Sequence, residues 1–150
     1  MSDNIKSMHP VIADFCGLLE SKNVPYQLND NDENMIRFRT RLPHHEATPY
    51  VIIHMNPANQ ALTLSLSNVF RFTSLGPKIF QLMNVFNGDA GNFACKMFVD
   101  QQGELVVLVS AIVAGEDPRD QVEDYLNVSI LALDNYYDQI KEIIDESQKD

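Results

Sequence analysis

The sequence has no long hydrophobic run. No apolar stretch in the 150-residue chain approaches the length of roughly 20 consecutive apolar residues that a membrane-spanning helix needs. The first ten residues, MSDNIKSMHP, are polar and lack the apolar core of a secretory signal peptide. These absences predict a cytoplasmic protein with no transmembrane segment and no membrane partner.

Cysteine is scarce, with Cys16 and Cys95 as the two copies. Both lie in apolar segments, which favours two small buried thiols in a reducing compartment, with a disulfide as the alternative. Apolar surroundings disfavour the thiolate, so we expect no catalytic thiol. Gly88 and Gly91 lack the Lys-Ser or Lys-Thr pair of a phosphate-binding loop, and no serine lies in a nucleophile elbow. We therefore predict no catalytic residue, no cofactor and no enzyme activity.

Histidine is also rare, but two of the four copies are adjacent. The segment His44-His45-Glu46 is the most metal-like cluster in the chain. Neighbouring side chains on a strand point apart, and no further His or Cys lies at a spacing typical of zinc sites. We therefore predict a polar loop at this position and name no metal ligand.

Positive charge is in short supply. The chain has 11 Lys and Arg against 21 Asp and Glu, which gives a formal net charge of −10. Most of the excess lies in the last segment, from Glu116 to Asp150. This balance would repel a phosphate backbone, so we expect no nucleic-acid partner. The hydrophobic fraction of 45% and the charged fraction of 21% are typical of a globular protein.

What the sequence does contain is a series of periodic segments separated by turn residues. Apolar residues at helical spacing predict helices over residues 7–21 and 77–87 and from about residue 117 onward. The first helix has Ser7 or His9 as its cap, and Asn87-Gly88 is expected to end the second in a left-handed conformation. The last helix has the longest apolar stripe, from Val122 to Ile144.

Alternating or short apolar segments predict six strands. Their ranges are 26–28, 35–42, 50–55, 61–67 with a possible extension to 72, 93–99 and 104–113. Asp100-Gln101-Gln102-Gly103 is the expected turn of the last hairpin. The chain therefore has the order α-β-β-β-β-α-β-β-α, and we predict a single α+β domain over residues 1–150.

Two of the predicted strands are apolar on both faces. Residues 50–55 and 105–109 do not alternate, and a strand with two apolar faces needs a cover on each side. In one interpretation the N-terminal helix of a monomer crosses to the far face. In the other, apolar surface stays exposed and becomes an interface. We favour the second interpretation and predict a homodimer.

Three arginines follow one another at every second position. Arg37, Arg39 and Arg41 share one face of the predicted second strand, in an acidic protein. One interpretation is cross-strand pairing with acids at a sheet edge. The other is a contact surface for an acidic segment, from a partner protein or from the final helix of a second copy. We name these three arginines as candidate partner contacts.

The segment from Leu82 onward carries a family resemblance. A helix end, a strand hairpin, an apolar strand and a long final helix follow one another over about residues 75–145. The residues on which the resemblance rests are Asn84, Asn87, Gly91, Asp100, Gly103 and Val113. In these features the chain resembles the YbjN-like proteins and, more distantly, the chaperones of type III secretion systems.

The resemblance implies an α+β fold in which helices cover one face of an antiparallel sheet. It also implies a non-enzymatic bacterial protein, often dimeric, that binds another protein. We predict a chaperone-like or regulatory protein whose apolar sheet face or helix groove takes a segment of its partner. The alternative is a small-molecule sensor or enzyme with a pocket between sheet and helices. A structural subunit of a larger assembly is a third interpretation.

Overall fold

The computed structural model describes residues 8–148. Within this range, three helices and six strands follow one another in the predicted order. The elements are α1 (Pro10–Ser21), β1 (Tyr26–Asn29), β2 (Asp32–Arg39), β3 (Tyr50–Met55), β4 (Ala61–Ser67), α2 (Pro77–Gly88), β5 (Cys95–Val99), β6 (Leu105–Ile112) and α3 (Pro118–Gln148). A short 3-10 helix, Ala90–Asn92, lies between α2 and β5. No helix in this range is both long and apolar enough to cross a membrane.

The six strands form one sheet in the order β1-β2-β3-β4-β6-β5. Every neighbouring pair is antiparallel. A continuous row of opposed apolar residues crosses five of the strands: Ile36, Ile53, Leu64, Val109 and Cys95. Strand β6 lies between β4 and β5, so the chain leaves the sheet after β4, forms α2 and returns at the edge.

The core lies on one face of this sheet. Buried residues alternate along β2, β3, β4, β5 and β6, and all three helices pack over them. Helix α1 contacts β2 and β3, α3 contacts β4 and β6, and α2 contacts β5. The ring of Phe15 in α1 lies 6.0 Å from the ring of Phe38. Each fully buried side chain of this size contributes about 1.5–3 kcal/mol.

Helix α1 is capped by His9, which is one of the two predicted caps. The Nδ1 of His9 accepts a hydrogen bond from the Val11 amide at 3.1 Å, and Pro10 occupies the first helical position. The His9 amide donates to the side-chain oxygen of Asn34 at 2.8 Å, which ties the start of α1 to β2. The alternative cap, Ser7, lies outside the described residues.

Helix α2 ends at Gly88, close to the predicted position, but the predicted left-handed conformation of this end is wrong. Helix α2 includes Gly88, and the following residue, Asp89, has an ordinary φ of −82°. The amide of the Asn92 side chain donates to the Phe86 carbonyl at 3.0 Å, so this carbonyl is satisfied without a left-handed glycine. The positive φ of this region falls on Phe93 instead, at 54°.

Several strand boundaries also differ from the prediction, by one residue in β1, at both ends of β2 and β6, and at the start of β5. Strand β2 runs over Asp32–Arg39 rather than 35–42, and β4 ends at Ser67. Asn68 has a φ of 69°, which breaks the strand before its possible extension to Phe72. The turn before β6 is as predicted: Gly103 has a φ of 84°, and a Cβ there would lie 2.1 Å from the Phe72 carbonyl oxygen. Only glycine fits this approach.

Candidate functional site

The face of the sheet opposite the helices is uncovered. Among the described residues, none of its strand side chains is buried. Strands β3 and β6, which the sequence marks as apolar on both faces, alternate between buried and half-buried positions. Ile52, Val106 and Leu108 are half-buried on this open face, and Phe98 is exposed. Helix α1 does not cross to it, because α1 packs on the same face as α2 and α3.

Two arginines and a tyrosine form a stack on the open face. The register places Arg39 opposite Tyr50 and Arg37 opposite Ile52. The guanidinium carbons of Arg39 and Arg37 lie 3.8 Å and 4.8 Å from the centroid of the Tyr50 ring. Each cation–π contact at an exposed site contributes about 0.5–1 kcal/mol and holds the guanidinium in one orientation.

The two stacked arginines have no ion-pair partner within residues 8–148. Arg37 donates to the side-chain oxygen of Gln27, and Arg39 donates to the Thr48 carbonyl at 3.1 Å. Neither contact neutralises the positive charge. In a chain with a net charge of −10, two unneutralised guanidinium groups on one face of the sheet can donate hydrogen bonds to a carboxylate.

The third candidate residue lies elsewhere. Arg41 lies two residues after the end of β2 and is exposed in the loop of residues 40–49. The backbone bonds on either side of it, Thr40 to Pro49 and Leu42 to Ala47, belong to that loop. The expected three-residue stripe is therefore a pair, Arg37 and Arg39, because β2 ends two residues before Arg41.

A cavity between sheet and helices would favour the alternative interpretation as a small-molecule sensor or enzyme. Where α1 and α3 meet β2, a cavity of about 170 Å³ lies among Phe15, Phe38, Leu126 and Ile130. Small-molecule pockets occupy roughly 300–1,000 Å³ and have converging polar groups. A larger depression of about 380 Å³ lies beside Arg37 and Ile52 and extends along β1. It belongs to the open face.

Sequence reasoning missed one cluster of polar side chains. Asp134, in α3, is only 4% exposed, and its carboxylate accepts from His44 Nδ1 at 2.6 Å and from His45 Nδ1 at 2.7 Å. The His44 amide also donates to it at 3.1 Å. The His45 ring stacks on Tyr137, with 4.0 Å between centroids, and its Nε2 lies 3.1 Å from Asp138. We call these five residues the His–Asp clamp.

The electrostatics of the clamp favour a protonated His45 beside an ionised Asp134. The hydrogen bond to Asp134 raises the pKa of His45, against the opposing effect of its desolvation, and Asp138 raises it further. Burial by itself raises the pKa of Asp134, but the bonds from His44 and His45 outweigh burial and lower it below its ordinary value. The clamp therefore fastens the loop of residues 40–49 to α3.

The predicted polar loop at His44-His45-Glu46 is present, but its histidines are structural contacts. Within residues 8–148, no group of three or more His, Cys, Asp or Glu side chains is arranged to hold a metal ion. The sequence offers one weak signal for the clamp, a lone Asp134 between the apolar residues of α3. It carries no signal that this residue meets a loop 90 positions earlier.

Both cysteines are free and buried, as predicted. Burial raises the pKa of Cys95 to about 11. Burial also raises the pKa of Cys16, although a hydrogen bond with Tyr26 opposes it. Thiols with raised pKa values are poor nucleophiles at neutral pH.

Two solved structures have a similar fold. The first is "Crystal Structure of the ExsC-ExsE Complex", with a TM-score of 0.55, 15% identity, and coverage of 87% of this chain and 90% of that chain. The second is the heterodimeric ExoU-SpcU complex from the type III secretion system of Pseudomonas aeruginosa. Its TM-score is 0.52 at 15% identity, with coverage of 87% of this chain and 97% of that chain. The predicted fold, like that of type III secretion chaperones, is confirmed.

The family resemblance is confirmed as well. No curated protein matches the chain. The YbjN family, described as "Putative bacterial sensory transduction regulator", matches residues 16–142. This match includes α3 as far as residue 142 and all six strands. The chain therefore belongs to the YbjN family.

Proposed function

We propose that this protein is a cytoplasmic, non-enzymatic, chaperone-like or regulatory protein that binds a segment of another protein on its open sheet face. The observation that carries the proposal is the uncovered face with its Arg37–Tyr50–Arg39 stack. Two further findings support it. The family is described as a sensory transduction regulator, and the two similar folds come from complexes of two different proteins.

The open face offers two kinds of contact to a partner segment. The half-buried side chains of Ile52, Val106 and Leu108 gain burial when a partner covers them, at about 25 cal/mol per Å² of apolar surface. Arg37 and Arg39 add charge-assisted hydrogen bonds to carboxylates, and the Tyr50 ring already orients both guanidinium groups. The partner segment is therefore acidic and apolar, and the arginines fix its register.

We also propose that the protein forms a homodimer through the outer face of α2. Phe80 and Val85 are 53% and 59% exposed there. Residues 77–88 contain no Asp or Glu, so α2 is a surface on which two copies of an acidic chain meet without like-charge repulsion. A standard interface buries about 800 Å² on each copy, so the contact would extend beyond α2 to the residues around it.

The open face is tested by capture followed by titration. Tagged protein is used to capture partners from the source bacterium, mass spectrometry identifies them, and calorimetry measures the affinity of the captured segment. Replacing both arginines (Arg37→Ala with Arg39→Ala) should weaken binding at least tenfold, since each hydrogen bond to a charged group is worth about 1.5–3 kcal/mol. The loss should be greatest at low salt.

Arg119→Ala is the control, because it removes one positive charge from the first turn of α3, outside the sheet. It should leave the affinity unchanged. Arg41→Ala tests the third candidate residue, which lies outside the stack. It should weaken partner binding less than either Arg37→Ala or Arg39→Ala does. An unchanged affinity in the double variant, or an equal loss in Arg119→Ala, would show that the partner binds elsewhere.

A further inference from the structure

A second exposed apolar surface lies at the end of the β5–β6 hairpin, against the first half of α3. Phe93, Ile112, Asp124, Tyr125 and Val128 line a groove of about 750 Å³ there. We call it the Phe93 groove. Phe93 is 70% exposed and Ile112 is 64% exposed, so two large apolar side chains stand in water side by side with a helix.

The backbone at Phe93 is strained. Its φ of 54° and ψ of −118° lie in a region that glycine enters freely and that a residue with a Cβ enters at a cost. The exposed ring gains little burial within the chain to offset this cost. A phenylalanine that is both strained and exposed is unfavourable for folding alone, and such outliers concentrate at binding sites.

The rim of the groove is acidic. Asp124 is the charged residue of its lining. The segment just before α3 and its first turn add Glu116, Asp117 and Asp120 against Arg119, and the Arg119 Nη2 lies 3.7 Å from the Asp120 Oδ1. A second copy would bring the same negative charge to this place. An occupant with lysine or arginine next to its apolar residues fits the charge.

The nearby strand edge is blocked at its central residue, Met97. The side chain of Asn87 accepts from the Met97 amide at 2.7 Å and donates to the Met97 carbonyl at 3.1 Å. These bonds occupy the amide and the carbonyl of Met97, which an added strand would otherwise use. On the groove side of α3, Tyr125, Val128 and Leu131 follow at steps of three, with Leu131 49% exposed, and such a stripe packs well against another helix.

We propose that the Phe93 groove binds an amphipathic helix of a partner protein, with lysine or arginine at the edge of the helix's apolar face. The apolar side chains of this helix contact Phe93, Ile112 and Val128, and its cations lie against Asp124. The inference rests on the proposed function as a protein-binding protein. It adds a second surface, with the opposite charge preference to that of the Arg37–Tyr50–Arg39 stack.

The probe is a labelled Leu/Lys amphipathic peptide of about five helical turns, compared with a Leu/Glu peptide of the same pattern. Fluorescence anisotropy measures their affinity for the full chain. Phe93→Gly removes the ring and relieves the backbone, so it should weaken Leu/Lys binding at least tenfold without lowering the thermal midpoint. Asp124→Asn should weaken binding a few-fold and reduce its salt dependence. Leu75→Ala, which removes an exposed apolar side chain outside the groove, is the control and should bind as the wild type does.

Four results would overturn the inference. The first two are unchanged Leu/Lys binding in Phe93→Gly and equal binding of the Leu/Glu peptide by the wild type. The third is a lower thermal midpoint in Phe93→Gly. The fourth is a wild type that is dimeric while Phe93→Gly is monomeric. The last would make the groove a contact between copies. Neither Arg37 nor Arg39 lines the groove, so the peptide affinity should not depend on them. Failure of this inference and failure of the proposed open-face function are therefore separate outcomes.

Discussion

At the scale of single residues, the His–Asp clamp joins two parts of the chain that the sheet does not connect. The loop of residues 40–49 connects β2 to β3, and Asp134 belongs to α3. A buried carboxylate is costly unless it is fully hydrogen-bonded. Here His44 supplies a ring bond and an amide bond, and His45 supplies a second ring bond. The stability of this contact therefore depends on the protonation of its members.

The clamp predicts a pH-dependent stability. The raised pKa of His45 means that its contribution is present below the ordinary value of 6.5 and is lost as pH rises through the raised pKa. The lowered pKa of Asp134 means that its contribution is present above the ordinary value of 3.8 and is lost as pH falls through the lowered pKa. The clamp is therefore strongest between pH 3.8 and 6.5.

The measurement is thermal unfolding of wild type and His45→Gln from pH 3 to 9. The difference between their midpoints should be largest within that window and should shrink above it. Asp134→Asn should lose stability over the same range, and His45→Gln should cost little more in that background, because the two groups act through one contact. A midpoint difference independent of pH would contradict this account.

At the scale of elements, the outer edge of β5 is protected by one side chain. Asn87 bonds both backbone groups of Met97, and its own carbonyl accepts from the Lys96 side chain at 3.0 Å. An unprotected edge strand presents a template for pairing with other chains. The side-chain amide of Asn87 bonds the central residue of this edge, Met97, where a neighbouring strand would otherwise pair.

Asn87→Ala should therefore destabilise the protein by about 1–3 kcal/mol, the cost of leaving a partly buried polar group unpaired. It should also increase self-association with concentration. Urea unfolding measures the first effect and light scattering the second, and hydrogen exchange should speed up at the Met97 amide. Asn84→Ala, an exposed position on the same helix, is the control. Equal effects of the two substitutions would contradict a role for Asn87 at the edge.

The sequence predicts an element well where local residue patterns determine it, and poorly where contacts between distant residues do. The stripe of α3 and the alternation in β4 are local patterns, and both predict the observed elements well. The end of α2 and the end of β4 depend on Asn92 and Asn68, whose conformations only the folded chain specifies. The Arg37–Tyr50 stack needs the register of β2 on β3, and the clamp joins residues about 90 positions apart, so neither has a sequence signature.

At the scale of the whole molecule, the structure has two surfaces of unlike charge. The open sheet face carries Arg37 and Arg39, whereas the exposed side of α3 carries most of the acidic excess. Beside α3, α2 exposes Phe80 and Val85 and contains no acidic residue. The non-alternating strands predict an uncovered apolar surface, but only on the sheet. The exposed residues of α2 and the Phe93 groove extend it.

The proposed homodimer predicts a concentration-dependent mass. Light scattering of the wild type should give twice the chain mass of 17.0 kDa. Val85→Lys should give a monomer, because it places a desolvated charge in the interface. Asn127→Lys, which adds the same charge on α3, is the control and should remain dimeric. A wild type that stays monomeric at high concentration would contradict the α2 interface.

The position of β6 between β4 and β5 has a consequence for synthesis on the ribosome. Strand β4 is complete at Ser67, but its second neighbour is complete only at Ile112. At about 5–20 residues per second, the nascent chain waits several seconds before that neighbour emerges. Throughout this interval the hydrogen-bonding groups on one side of β4 have no strand to pair with, beside Leu62, Leu64 and Leu66. A pause in translation after β4 would prolong the time in which newly made chains can join one another.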